Sequence, residues 1–142
     1  MHVSHLSRRS FIEAAALAAG GGETISIVLG TRPELYRRAL HTISRWDGDI
    51  ETLTTAEVPV YMAIGENDDY YGSGPAREAY EEIRAAYRAR RLSEERISEL
   101  VVLDVKPTSY FTERGFAADA GQHGAGGYLF ARDEDIMGWL FS

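Results

Sequence analysis

The feature that most constrains the fold is the apolar stretch at residues 58–64, Val-Pro-Val-Tyr-Met-Ala-Ile. It is continuously apolar and rich in β-branched and aromatic side chains, which is typical of a strand buried on both faces. Pro59 lies near its start, where a missing backbone N–H group is tolerated. Residues 100–105 form a second run that is apolar except at Asp104, and residues 39–44 predict a further strand.

Helical patterns alternate with these strands. Residues 75–91 begin with a proline suited to the first helical turn and carry apolar side chains at intervals of three and four residues. A second short helix is predicted to open at Ser93, and Asp133 is placed to cap a terminal helix that runs to Phe141. Buried strands that alternate with helices predict an α/β fold, with few parallel strands and flanking helices.

Length and charge exclude several classes of protein. At 142 residues the chain is expected to form one domain. A net charge of −7 argues against nucleic-acid binding, which needs clustered Lys and Arg. The absence of cysteine excludes disulfides, thiolate zinc sites and a cysteine nucleophile. No apolar run reaches the ~18 residues of a membrane span.

Cofactor and metal motifs are weak in this chain. His2 and His5 have a metal-like spacing but lie at the terminus. The triple glycine at residues 20–22 has neither a preceding strand nor the Gly-Lys-Ser/Thr ending of a phosphate loop. We therefore expect neither a metal nor a cofactor.

The N-terminal segment resembles a targeting signal. Residues 7–12, Ser-Arg-Arg-Ser-Phe-Ile, match a twin-arginine motif, and the Ala-rich run that follows offers an A-x-A cleavage site at residues 16–18. The sequence thus predicts a signal-like segment at residues 1–19 and a folded domain at residues 20–142, with export of the protein. The alternative is a plain Ala-rich helix capped by Ser10, in which case the protein is cytoplasmic.

Acidic residues follow the strand at 58–64. The chain leaves this strand through Gly65 and then presents Glu66, Asp68 and Asp69. Ligands bind at the carboxyl ends of strands in open α/β sheets, and a carboxylate on a rigid strand end can hold and orient an imidazole. Asp68 is the preferred candidate, with the other two as rivals. The alternative is a solvated acidic turn.

A histidine lies beyond the next predicted strand. His123 is flanked by four glycines within residues 121–127, which predicts a glycine-rich loop that projects the side chain into a cleft. Histidine supplies a general base near neutral pH without further perturbation. One helix-plus-strand unit separates Asp68 from His123, and acid before histidine is the chain order in one class of hydrolase triads. The alternative is a histidine on a surface loop.

Aromatic side chains accompany these candidates. Tyr70, Tyr71 and Tyr110 are expected either to line an acceptor pocket or to pack at the strand ends.

Residues 58–72 and 122–141 resemble the acid strand-loop and the histidine loop of the α/β-hydrolase superfamily, in its esterase and prolyl-oligopeptidase-like branch. Residues 20–26 resemble the start of the helix behind the nucleophile elbow, and residues 46–49 resemble the loop after the following strand. The resemblance covers roughly residues 19–142 and corresponds to the C-terminal half of such a hydrolase. It implies that Asp68 is the triad acid and His123 the triad base.

The sequence departs from this family at the nucleophile. The register places Ala19 on the serine of the G-x-S-x-G motif and Leu17 on its first glycine. Ser10 and Ser26 remain, but neither lies on a recognisable strand-to-helix turn. The resemblance implies a serine hydrolase of small-molecule esters or peptides. The alternatives are an inactive relative that acts as a binding module, and a chain completed by another copy or by a partner that supplies the nucleophile and pairs with an exposed sheet edge.

Overall fold

Three parallel strands and their flanking helices make up the computed structural model, which describes residues 21–142. The predicted signal-like segment at residues 1–19 lies outside the described residues, and the division between residues 19 and 20 stays a prediction. The elements in chain order are α1 (Gly21–Leu29), a 3-10 turn (Pro33–Leu35), β1 (Ala39–Thr42), α2 (Ile50–Ala56), β2 (Val60–Gly65), α3 (Gly74–Ala89), α4 (Glu94–Leu100), β3 (Val101–Lys106), α5 (Thr108–Thr112), α6 (Gln122–Leu129), a second 3-10 turn (Phe130–Arg132) and α7 (Glu134–Phe141).

The strands pair in the order β1-β2-β3, with β2 in the centre. Val60 lies opposite both Ala39 and Val101, and the pairing on each side is parallel. The predicted α/β fold with few parallel strands is therefore confirmed. Within residues 21–142 no strand pairs with the other side of β1.

The central position of β2 in the sheet explains why its sequence is apolar throughout. Val60, Met62 and Ile64 face one apolar cluster, formed with α1, α2, α3 and α4. Tyr61 and Ala63 face a second cluster on the opposite side of the sheet, formed with α5, α6 and α7. Because both faces of β2 are covered by helices, its sequence is apolar throughout.

Two predicted helix starts, at Ser93 and Asp133, are present in the structure. Asp133 caps α7 by accepting hydrogen bonds from the backbone N–H groups of Asp135 (2.9 Å) and Ile136 (3.1 Å). Ser93 caps α4 through the N–H of Arg96. Helices α2 and α5 were not predicted, since each forms only one or two turns.

One prediction about the site segment was wrong. The residues around His123 form helix α6 rather than a glycine-rich loop. A Cβ atom at Gly126 would lie 2.9 Å from Phe130 Cε2 and 3.0 Å from Ile43 Cγ2. Glycine at this position therefore permits close packing of the helix against its neighbours, and its role is not to keep the backbone flexible.

Helix length bears on the membrane prediction. Among residues 21–142 there is no helix with both the length and the apolar character needed to cross a bilayer.

Candidate functional site

The turn after β2 folds around the side chain of Asp68. The Asp68 Oδ1 atom accepts hydrogen bonds from the backbone N–H groups of Tyr70 (2.9 Å) and Tyr71 (2.7 Å), so the carboxylate closes its own turn. We call residues 66–72 the acid loop. The Asp68 side chain is entirely buried, and its second oxygen, Oδ2, points away from the turn toward α6.

His123 is the second residue of α6 and meets this oxygen. Its Nδ1 atom lies 3.0 Å from Asp68 Oδ2, and the His123 side chain is 28% exposed. An ionised carboxylate only accepts hydrogen bonds, so the network assigns the proton of the neutral imidazole to Nδ1. Nε2 then carries the lone pair, and no residue within 21–142 hydrogen-bonds it. The structure thus brings together the two residues that the sequence singled out.

The rival acids occupy different positions. Asp69 Oδ1 accepts a hydrogen bond of 2.8 Å from the backbone N–H of His123, and this bond holds the pKa of Asp69 below its usual value. Glu66 is exposed, and its backbone N–H donates to the carbonyl of Lys106 at the end of β3. Of the three acids, only Asp68 forms a hydrogen bond with the imidazole ring.

Sequence reasoning missed Gln122. This side chain is buried (4% exposed), and its Oε1 accepts a hydrogen bond of 2.9 Å from the backbone N–H of Asn67 in the acid loop. Its Nε2 donates to Thr108 Oγ1 at 3.0 Å. The available signal was an amide side chain directly before the candidate histidine.

An exposed tyrosine flanks the imidazole. The Tyr70 ring centroid lies 5.1 Å from that of His123, and Tyr70 is 72% exposed. Tyr71 lies 6.0 Å from the imidazole and contacts Tyr70 edge-on. Tyr110 is buried and donates to Asp133 Oδ2 at 2.7 Å, so it packs as the alternative prediction had it. Burial and this hydrogen bond raise the pKa of Tyr110.

Ser26 does not meet the needs of a nucleophile. It lies inside α1 and is fully buried. Its hydroxyl donates to the carbonyl of Glu23 (2.7 Å) and accepts from the backbone N–H of Asp47 (3.1 Å). Ala19 and Ser10 lie outside the described residues.

The three-stranded parallel sheet with helices on both faces is a mixed α/β architecture that is similar to part of a solved esterase. The chain superposes on the crystal structure of a thermostable esterase with a TM-score of 0.60 and 16% sequence identity. The match covers 86% of this chain but only 28% of the esterase chain. At this identity the likeness concerns the fold alone.

The sequence comparisons identify no family for this chain. No family model matches the chain, and no curated protein matches it in sequence. The esterase and prolyl-oligopeptidase-like branch therefore stays a prediction.

Proposed function

We propose that this chain has the chemistry of a serine hydrolase and acts by acyl transfer on carboxylic esters or peptides. In this proposal His123 is the general base and Asp68 is the acid that orients it. The observation that carries the proposal is the 3.0 Å contact between a buried carboxylate in the turn after β2 and a partly exposed imidazole at the start of α6. The esterase-like fold supports it.

The proposed chemistry uses Nε2 of His123, the ring nitrogen that does not bond to Asp68. His123 Nε2 takes the hydroxyl proton of a serine as the serine oxygen bonds to the acyl carbon, and the resulting imidazolium then gives that proton to the leaving group. Water enters by the reverse sequence and releases the acid. The Asp68 carboxylate stabilises the imidazolium through its bond to Nδ1–H.

The nucleophile is the missing part of this scheme. The sequence register places Ala19 at the serine position, and alanine has no hydroxyl group. The proposal therefore requires the nucleophile to be a different serine of this chain, in the same copy or in a second copy.

Labelling of the full chain with a fluorophosphonate probe, mapped by peptide mass spectrometry, tests the proposal. We expect labelling of one serine, and we expect Asp68→Asn and His123→Ala each to slow it by about 10²-fold or more, because the oxygen is then no longer activated. A serine that labels equally fast in both variants would show that these residues are not its acid and base.

An engineered serine tests the register independently. Ala19→Ser places a hydroxyl where the resemblance expects the nucleophile, and Ala18→Ser is the matched control. We expect labelling at position 19 that depends on His123, and none at position 18. If neither the wild-type chain nor Ala19→Ser is labelled, the acyl-transfer proposal loses its support.

A second candidate function follows from the alanine at position 19. In this alternative the chain is a catalytically inactive relative of the hydrolases that retains Asp68 and His123 and acts as a binding module. A well-folded wild-type protein that resists the probe, together with an Ala19→Ser variant that accepts it, favours this alternative.

Within residues 21–142 no strand pairs with the outer side of β1, and this favours a further arrangement in which another chain completes the sheet. Light scattering coupled to size-exclusion chromatography separates the cases. A stable homo-oligomer supports completion by a second copy, whereas a monodisperse monomer counts against it.

A further inference from the structure

Three consecutive residues of the acid loop each bond to the dipeptide that starts α6. The backbone N–H of Asn67 donates to Gln122 Oε1 (2.9 Å), Asp68 Oδ2 meets His123 Nδ1 (3.0 Å), and Asp69 Oδ1 accepts from the backbone N–H of His123 (2.8 Å). Only the second of these bonds involves the imidazole. The other two hold the Gln122 side chain and the His123 backbone against the acid loop.

The bond to Asp69 also caps a helix end. The first backbone N–H groups of an α-helix have no partner within the helix, and the capping residue Gly121 has no side chain that accepts from them. Asp69 supplies that acceptor from a distant segment of the chain, and its negative charge suits the helix N-terminus. A Cβ atom at Gly121 would lie only 3.0 Å from Asp69 Oδ2, so the two segments are in close contact.

The Gln122 amide joins the loop and the helix to a third segment. Its Nε2 donates to Thr108 Oγ1, and Asn67 Nδ2 donates to the same oxygen at 3.2 Å. A Cβ atom at Gly65 would lie 2.6 Å from Gln122 Oε1, which leaves no room for a side chain at the end of β2. Because the Gln122 amide is buried and both its oxygen and its nitrogen are hydrogen-bonded, breaking either bond would leave a desolvated polar group. The amide therefore holds the acid loop, the start of α6 and Thr108 in fixed relative positions.

We propose that Gln122 and Asp69 are positioning residues for His123. They hold the start of α6 against the acid loop so that the imidazole meets Asp68 in the Nδ1–H tautomer. The inference rests on the proposed function of Asp68 and His123. A geometry held within about 0.5 Å is what a proton-transfer pair requires, and the single hydrogen bond between Asp68 and His123 does not by itself supply it.

Nitrogen-15 NMR of the His123 ring in the full chain tests this, at a pH about two units above the ordinary histidine value of about 6.5. We expect a single Nδ1–H tautomer in the wild type. Gln122→Ala and Asp69→Ala should each produce a mixture of tautomers and at least about tenfold faster solvent exchange of the Nδ1 proton. Asp69→Asn retains an oxygen acceptor and should restore the wild-type spectrum.

A matched control separates positioning from stability. Tyr110→Phe removes a buried hydrogen bond of 2.7 Å to Asp133, and within residues 21–142 Tyr110 forms neither a hydrogen bond nor a ring contact with His123. We expect this variant to lose stability and to keep the wild-type His123 spectrum. If Gln122→Ala and Asp69→Ala also lower stability without changing the tautomer, their role is structural and the inference is wrong.

The same measurement distinguishes failure of the inference from failure of the proposed function. A wild-type His123 without the Nδ1–H tautomer would overturn the proposed role of Asp68. A wild-type spectrum as expected, retained in both alanine variants, would overturn only the positioning role. Should Gln122→Ala not fold, Thr108→Val removes one partner of the amide and is expected to change the tautomer in the same direction.

Discussion

Residues 21–142 include two histidines, and their surroundings differ in kind. His41 lies in β1, is 1% exposed and packs against Trp46 at a ring-centroid distance of 5.4 Å. Its Nε2–H donates to the backbone carbonyl of Arg45 at 3.1 Å. Burial lowers the pKa of His41 to about 4, so this ring is neutral at physiological pH.

His123 has the opposite arrangement. Its partner is a carboxylate rather than a carbonyl, it is bonded through Nδ1 rather than Nε2, and a quarter of its side chain reaches solvent. The comparison shows which features distinguish a candidate base from a core histidine. Proton transfer needs a partner that stabilises the imidazolium and a second nitrogen that substrate can reach, and His41 has neither.

The largest expected difference between the two histidines is in chemical reactivity. Diethyl pyrocarbonate modifies accessible neutral imidazoles, so we expect His123 to react readily and His41 to react only through opening of the structure. An opening cost of about 4 kcal/mol or more slows His41 by about 10³-fold or more. Peptide mapping separates both from His2 and His5.

Unfolded protein is the control for this experiment, because both histidines should then react at similar rates. Comparable rates in the folded protein would mean that β1 opens easily, and the assignment of His41 to the core would be wrong.

The second difference is expected in the pH dependence of stability. The pKa of His41 is lower in the folded chain, about 4, than its ordinary value of about 6.5, so the unfolded chain binds more protons between these values. The stabilisation is fully present above pH ~6.5 and is lost as the pH falls to about 4, amounting to on the order of 3 kcal/mol. Urea unfolding across this pH range measures it.

Two variants assign this loss to one residue. His41→Gln keeps a donor for the Arg45 carbonyl and does not titrate, so we expect its stability to be nearly independent of pH in this window. His123→Gln should retain the loss. Carboxylates with lowered pKa values, such as Asp69, change the free energy of unfolding only below their ordinary pKa values, and therefore at lower pH than His41. An unchanged slope in His41→Gln would show that another group is responsible.

The sequence predicted the elements whose signals are local. Strand β2 is continuously apolar because both of its faces are covered, α3 shows the helical period, and Asp133 caps α7 by bonds within its own turn. Asp68 and His123 were selected by residue type and chain order. None of these inferences required knowledge of which distant segments meet.

The features that the sequence did not predict depend on contacts between distant segments of the chain. The role of Gln122 exists only because the acid loop and the start of α6 come together across a long stretch of chain. Helix α6 was predicted as a loop because glycine disfavours helices in isolation. In the folded chain the packing of Gly126 on Phe130 and Ile43 outweighs that preference, since a larger residue would push the helix away.

The smallest predicted effects test this account of the glycines next to His123. Within residues 21–142, and apart from the helix's own backbone and the two adjacent residues, a Cβ atom at Gly124 would have no atom within 4 Å, so Gly124→Ala should raise the free energy of unfolding by about 0.5–1 kcal/mol. A Cβ atom at Gly126 meets Phe130 at 2.9 Å, so Gly126→Ala should lower it by about 1–3 kcal/mol. Urea unfolding of the two variants gives the signs. If His123 instead needed a flexible glycine-rich loop, Gly124→Ala would destabilise the chain or disturb the His123 tautomer, because alanine restricts the backbone. A stabilised Gly124→Ala variant with an unchanged His123 tautomer assigns these glycines to helix packing.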